Sequence, residues 1–131
     1  MKKTTLLNQA LSEVVAGMGH GDLLVIGDYG LPCPKGVRRI DLALRPGIPA
    51  FLDVVETVLA ELQVEAAVVA RETAERNPTV QEGLTRLLGG VPVTTVSHEE
   101  LKEISARAVA LVRTGECTPY ANVILRAGVT F

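Results

Sequence analysis

His20 is one of two histidines in this chain of 131 residues, and imidazole is the side chain that titrates closest to neutral pH. Its neighbours Gly19 and Gly21 carry no side chains, so the imidazole is expected to be accessible. An accessible imidazole can deliver or accept a proton in general acid–base catalysis. The other interpretation is a loop histidine bonded to a nearby carboxylate such as Asp22, and the spacing alone leaves both open.

Asp28 and His98 are two further titratable candidates. Asp28 follows an apolar stretch typical of a buried strand, where a carboxylate is expected only if it is paired or exposed. It could bind a ligand hydroxyl, orient His20, or cap the turn that follows. His98 opens a predicted helix whose N-terminus disfavours a charged imidazole. A neutral hydrogen-bonding role and an exposed helix-start residue therefore both fit His98.

A polar loop at residues 113–122 separates the last two predicted strands. It contains the carboxylate of Glu116, the phenol of Tyr120 and the carboxamide of Asn122. Together these groups supply the hydrogen-bond donors and acceptors that a polyhydroxylated ligand requires. The alternative is a rigid turn in which Tyr120 packs as a hydrophobic plug.

Other classes of site have no support in the sequence. Gly17, Gly19 and Gly21 precede a strand rather than leading from a strand into a helix, so the phosphate-binding geometry of a dinucleotide site is missing. The P-loop and nucleophile-elbow motifs are absent, and the two histidines lack the spacing of a metal-binding pair. The net charge of −2 and the absence of Trp are atypical of a nucleic-acid binder.

Alternating apolar and amphipathic segments predict the elements that position these residues. Six apolar stretches predict strands, at residues 22–28, 37–44, 65–71, 91–96, 108–113 and 122–127. Helical periodicity, caps and a first-turn proline predict four helices, which begin near Asn8, Phe51, Pro78 and Ser97. We therefore predict an α/β fold with three layers, α/β/α, around a mostly parallel or mixed sheet of about six strands.

Size and composition predict one domain over residues 1–131. The hydrophobic fraction of 47% supports a real core, and only two Tyr and two Phe accompany the aliphatic side chains. No linker, repeat or low-complexity stretch divides the chain. We expect a single domain with an aliphatic core.

The compartment is predicted from the N-terminus and the cysteines. Met1–Leu7 begins like a signal peptide, but Asn8 and the polar residues after it interrupt the apolar run. No apolar stretch is long enough to span a membrane. Cys33 and Cys117 form no CxxC motif, so reduced thiols and a cytoplasmic location are expected, without a nucleic-acid or membrane partner.

Ordered sequence blocks along nearly the whole chain resemble the D-ribose pyranase family, whose relatives are the fucose mutarotases. The blocks are Gly19–Asp22, Asp28–Pro34, Arg39–Leu44, Gly47–Phe51, Gln63–Ala66, Ser97–Glu100, Arg113–Asn122 and Ala127–Phe131. Several blocks in a fixed order are more specific than any single motif among them.

The resemblance implies a cofactor-free isomerase that interconverts the pyranose and furanose forms of D-ribose. It implies that His20 is the catalytic proton donor and that no metal takes part. The sugar-binding residues that it implies are Asp28, His98, Tyr120, Ala121 and Asn122. It also implies a ring-shaped homo-oligomer such as a decamer, with the sugar site between neighbouring subunits.

Two positions depart from the family pattern. Gly21 stands where relatives usually carry Thr or Ser, and Tyr29 stands where they usually carry Ala. The first change can loosen the turn at His20, and the second places a phenol beside Asp28. Sugar preference is therefore open. A non-catalytic sugar-binding or regulatory module of a ribose uptake system is one alternative function, and a mutarotase for another sugar such as fucose is another.

Overall fold

Six strands form a single mixed sheet in the computed structural model, which describes residues 1–131. The strands are β1 (Leu23–Gly27), β2 (Arg38–Asp41), β3 (Val64–Ala70), β4 (Val93–Val96), β5 (Ala110–Arg113) and β6 (Val123–Ala127). The helices are α1 (Gln9–Gly17), α2 (Phe51–Leu59), α3 (Arg71–Arg76), α4 (Pro78–Leu88) and α5 (His98–Ser105). All six predicted strands and all four predicted helices are confirmed.

The direction of β6 determines how the loops are distributed. The strand order is β2-β5-β1-β6-β3-β4. β6 is antiparallel to both of its neighbours, β1 and β3, whereas the other neighbouring pairs are parallel. Five strands therefore end at one edge of the sheet, where β6 begins. We call this the carboxyl edge, and we call the opposite edge, where β6 ends, the amino edge.

Helices cover the two faces of the sheet unequally. One face packs against α1, α2 and α4 in a core of 22 buried residues. The other face packs against α5 in a smaller cluster of 7 buried residues. This arrangement confirms the three-layer prediction. The aliphatic core is also confirmed, because Phe51 is the one aromatic side chain that is fully buried.

The ends of the helices show which local sequence signals were sufficient to predict a helix. Asn8 Oδ1 accepts a hydrogen bond of 2.9 Å from Leu11 N, which caps α1. Helix α3 was not predicted, because Ala70 offers no capping side chain and only Thr73 of the helix is buried. Its one sequence signal is the charge pattern, with acidic Glu72 in the first turn and a basic residue in the last. None of the five helices has the length and apolar content of a membrane span.

Candidate functional site

Loops at the carboxyl edge bring together Asp28, His98, Tyr120 and Asn122. Asp28 follows β1, His98 opens α5 directly after β4, and the other two residues precede β6. Asp28 N donates a hydrogen bond of 3.0 Å to Asn122 Oδ1. The ring of His98 meets that of Tyr120 edge-on, with centroids 5.1 Å apart and an angle of 83° between the planes.

Asp28 has an unusual electrostatic environment at this edge. Burial raises the pKa of the Asp28 carboxyl above its ordinary value, although the Gly30 N–H, the Asn122 amide and His98 act in the opposite direction. The Gly30 N–H donates to Asp28 Oδ1 at 2.9 Å. Because of its burial, the Asp28 carboxyl binds a proton more tightly than the carboxyl of an exposed aspartate does. A raised carboxyl pKa in a polar cluster is typical of a functional site.

Two side-chain nitrogens at the carboxyl edge are buried without hydrogen-bond partners, His98 Nδ1 and Asn122 Nδ2. The Asn122 amide lies near enough to Asp28 to lower the pKa of its carboxyl, but Nδ2 meets no acceptor at hydrogen-bond geometry. Leaving a buried polar group unpaired costs about 1–3 kcal/mol. Unpaired polar atoms clustered at one edge are what a site for a hydroxyl-rich ligand requires.

The backbone before β6 is fixed by two buried polar residues from the α3–α4 region. Thr73 Oγ1 donates to Tyr120 O at 2.7 Å, and Asn77 Nδ2 donates to Pro119 O at 2.8 Å. Tyr120 adopts a φ of 59°, which is uncommon for a residue with a side chain. Ala121 follows it and is fully buried. The sequence gives no local signal for the roles of Thr73 and Asn77, because their partners are more than forty residues away.

Two side chains accept hydrogen bonds from the free N–H groups in the first turn of α5 and so orient His98. Ser97 Oγ accepts from Glu100 N at 3.1 Å, which is one half of the predicted capping box. The reciprocal bond from Ser97 N to the Glu100 carboxylate is not formed. Glu72 Oε2, from α3, accepts from His98 N at 2.9 Å. The start of α5 is therefore tied to both its own cap and the neighbouring helix.

Glu116 organises the loop between β5 and β6. Its carboxylate accepts hydrogen bonds from Phe51 N at 3.2 Å, Thr118 N at 3.2 Å and Thr118 Oγ1 at 2.9 Å. Partial burial alone would raise the pKa of Glu116, but these donors hold it below its ordinary value. The loop is thereby attached to the start of α2.

A cavity of about 240 Å³ opens beside Asp28, and Tyr29 and Glu116 also line it. Tyr29 lines a second cavity of about 290 Å³ as well, and its ring lies 5.9 Å from the Arg113 guanidinium carbon. Tyr29 thus lines both cavities and lies beside Asp28, as expected. Its effect on the site, a narrower pocket or a changed sugar preference, stays a prediction.

His20 lies at the amino edge, in a tight turn over residues 19–22. Asp22 N donates to Gly19 O at 3.1 Å, and Gly21 has a φ of 87°, which is typical of the third residue of a type II turn. His20 Nε2 lies 2.9 Å from Glu65 Oε2. This contact agrees with the interpretation of His20 as a loop histidine bonded to a carboxylate. The carboxylate is Glu65 rather than Asp22, whose Oδ2 accepts from Gly19 N.

Within one chain, His20 and Asp28 lie at opposite edges of the sheet. Strand β1 runs from the turn that contains His20 to Asp28, and this extended backbone is about 20 Å long. The hypothesis that Asp28 orients His20 is thus wrong within a single subunit. The candidate residues form two groups, one at each edge of the sheet.

Comparison with known proteins identifies relatives along the whole chain. The model of the RbsD / FucU transport protein family matches residues 1–130. The chain is 98% identical to D-ribose pyranase of Symbiobacterium thermophilum and 57% identical to D-ribose pyranase of Chloroflexus aggregans, over the full length of each. The chain therefore belongs to the RbsD / FucU family.

Solved structures agree with this assignment. The fold matches Bacillus subtilis RbsD complexed with D-ribose, with a TM-score of 0.97, 45% identity and full coverage of both chains. The fucose mutarotase of Streptococcus pneumoniae in complex with L-fucose matches over both full chains with a TM-score of 0.86. At 22% identity, the second match shows a common fold only.

Gly27→Ala is expected to destabilise the carboxyl edge. An added Cβ would lie 2.6 Å from Leu31 Cδ2 and 2.7 Å from Asn122 Oδ1, and such overpacking costs about 1–3 kcal/mol. Urea denaturation measures the loss in free energy of unfolding. Gly17→Ala is the matched control, because nothing lies within 4 Å of its added Cβ. Equal stability of the two variants would contradict this close packing.

Glu116→Gln is expected to lower the free energy of unfolding by about 1 kcal/mol near neutral pH, because a carboxamide cannot accept all the hydrogen bonds of the carboxylate. The lowered pKa of Glu116 means that its contribution is present above the pKa of an unfolded glutamate. The contribution is lost as the pH falls through the folded-state pKa.

Urea denaturation at a series of pH values checks this difference. The difference in free energy of unfolding between wild type and Glu116→Gln is expected to disappear at acidic pH. Glu82→Gln serves as a control, because Glu82 is exposed on α4. If this difference stays constant down to strongly acidic pH, the charge of the Glu116 carboxylate does not contribute to stability.

Proposed function

We propose that this chain is a D-ribose pyranase, a cofactor-free isomerase that interconverts the pyranose and furanose rings of D-ribose. The observation that carries the proposal is the pair of buried, unpartnered nitrogens of His98 and Asn122 beside the raised-pKa carboxyl of Asp28. The 98% identity to the D-ribose pyranase of Symbiobacterium thermophilum supports the choice of reaction. The likeness to RbsD complexed with D-ribose supports the choice of sugar.

The sugar binds at the carboxyl edge. Asp28 accepts hydrogen bonds from sugar hydroxyls, and Asn122 Nδ2 donates to a sugar oxygen. His98 Nδ1 and the Tyr120 hydroxyl bond further hydroxyls. Ala121 lies between Tyr120 and Asn122 in the turn before β6, and we assign it to the same sugar-binding segment.

Catalysis requires proton transfer at two sugar oxygens. Opening of the pyranose breaks the bond between C1 and the ring oxygen, which takes up a proton while the anomeric hydroxyl loses one. The resulting aldehyde closes to the furanose when a different hydroxyl attacks C1 and gives up its proton, while the aldehyde oxygen takes up a proton and becomes the new anomeric hydroxyl. His20 delivers the proton to the ring oxygen, and such general acid catalysis contributes about 10²–10⁴-fold. No metal or cofactor is needed for these steps.

A complete site requires two copies of the chain. His20 is at the amino edge, whereas the sugar-binding residues are at the carboxyl edge. His20 of one subunit therefore reaches the sugar held by its neighbour in a homo-oligomer, such as a decameric ring. Residues 1–131 act as one domain of this assembly, and the free thiols of Cys33 and Cys117 fit a cytoplasmic location.

Complementation between variants tests the shared site. His20→Ala and His98→Ala are each expected to lose saturable ring exchange, measured by exchange NMR on D-ribose. Mixing the two after reversible dissociation places an intact His20 and an intact His98 at some interfaces. Random pairing restores about one quarter of wild-type activity. The double variant His20→Ala, His98→Ala is the control and stays inactive.

Four results would argue against the proposal. Wild-type exchange in His20→Ala would remove His20 from catalysis. Absence of recovery in a mixture whose subunits demonstrably exchange would place the whole site in one chain. Ribose binding without accelerated exchange would indicate a non-catalytic binding module, and faster exchange of L-fucose than of D-ribose would indicate a mutarotase for another sugar.

A further inference from the structure

Glu65 connects His20 to the sheet through a hydrogen bond with His20 and an ion pair with Arg126. Its Oε2 atom lies 2.9 Å from His20 Nε2, and its Oε1 atom lies 3.0 Å from Arg126 Nε. Each oxygen of the carboxylate thus has its own partner. The guanidinium holds one oxygen in place and so orients the other toward the imidazole.

The backbone at Glu65 is irregular in a way that directs its side chain. The pairing of β3 with β6 shifts between Val64 and Ala66, as in a β-bulge. Consequently Val64 and Ala67, three residues apart, both belong to the large core, although regular alternation would put them on opposite faces. Bulges of this kind re-aim a side chain and occur often beside active sites.

The contact with Glu65 determines which imidazole nitrogen is free. An ionised carboxylate only accepts hydrogen bonds, so the nitrogen that faces it must carry a proton. His20 Nε2 is therefore the protonated nitrogen. The other ring nitrogen, Nδ1, is the one left to exchange a proton with a substrate. This is the logic by which a carboxylate fixes the tautomer of a catalytic histidine.

We propose that Glu65, held by Arg126, is a positioning residue for His20 and that the imidazolium form of His20 transfers its Nδ1 proton to the sugar, which leaves the neutral Nε2–H tautomer. This inference rests on the proposed function of His20. Glu65 acts through the imidazole and does not touch the sugar. A stability role does not account for the arrangement, because the His20 side chain is 56% exposed and exposed ion pairs contribute little.

The variants Glu65→Gln and Glu65→Ala test the inference in the assembled protein. Glutamine keeps the size of the side chain but offers one oxygen to two donors, so it holds either His20 or Arg126. We expect kcat for ring exchange to fall about ten- to a hundredfold in Glu65→Ala, less in Glu65→Gln, and KM for D-ribose to change little. Glu13→Gln is the control, because it breaks an exposed ion pair with Arg38 and is expected to keep full activity.

The tautomer of His20 is a second readout that a purely structural role does not change. Long-range ¹H–¹⁵N correlation spectra of the ¹⁵N-labelled protein should show the Nε2–H tautomer of neutral His20 in wild type. Glu65→Ala should shift His20 toward a mixture of tautomers, whereas Glu13→Gln should not.

The outcomes separate this inference from the proposed function. If wild type itself does not accelerate exchange, or His20→Ala retains exchange, the proposed function fails first. If His20 is required but Glu65→Ala keeps wild-type kcat and the Nε2–H tautomer, only the positioning role is overturned. A large rise in KM with unchanged kcat would instead assign Glu65 to sugar binding and would also overturn it.

Discussion

The antiparallel direction of β6 is the constraint on which the rest of the site depends. Because β6 runs against both of its neighbours, its first residues lie among the carboxyl ends of the other strands. Asn122 is thereby placed beside Asp28, and Tyr120 beside His98. The other end of the same strand carries Arg126 to the amino edge. One reversed strand thus links the two groups of candidate residues.

The two groups differ in how they are held. At the carboxyl edge, the buried side chains of Thr73 and Asn77 hold the backbone of the loop before β6, and two side-chain nitrogens are left unpaired. At the amino edge, an exposed turn places His20 against a carboxylate on a strand bulge. A rigid binding pocket and an accessible proton donor suit different subunits of one assembly. The sheet topology separates the two groups, and the proposed division of labour between subunits starts from that separation.

Local patterns in the sequence were sufficient for most of the fold. Apolar runs identified all six strands, and the caps at Asn8 and Ser97 identified two helix starts. Strand order was not predictable from such patterns. The hypothesis that Asp28 orients His20 failed for another reason, because the two residues flank the same strand, β1, and its length keeps them apart. Glu65 was missed because its role depends on a bulge and on Arg126, more than fifty residues away. Long-range partners leave no local signal.

A crystal structure of the assembled protein with D-ribose tests the shared site most directly. We expect the sugar to contact Asp28, His98 and Asn122 of one subunit. We further expect His20 Nδ1 of a neighbouring subunit to lie within hydrogen-bond distance of the sugar ring oxygen. A sugar bound at the carboxyl edge with no His20 from any subunit near it would contradict the account.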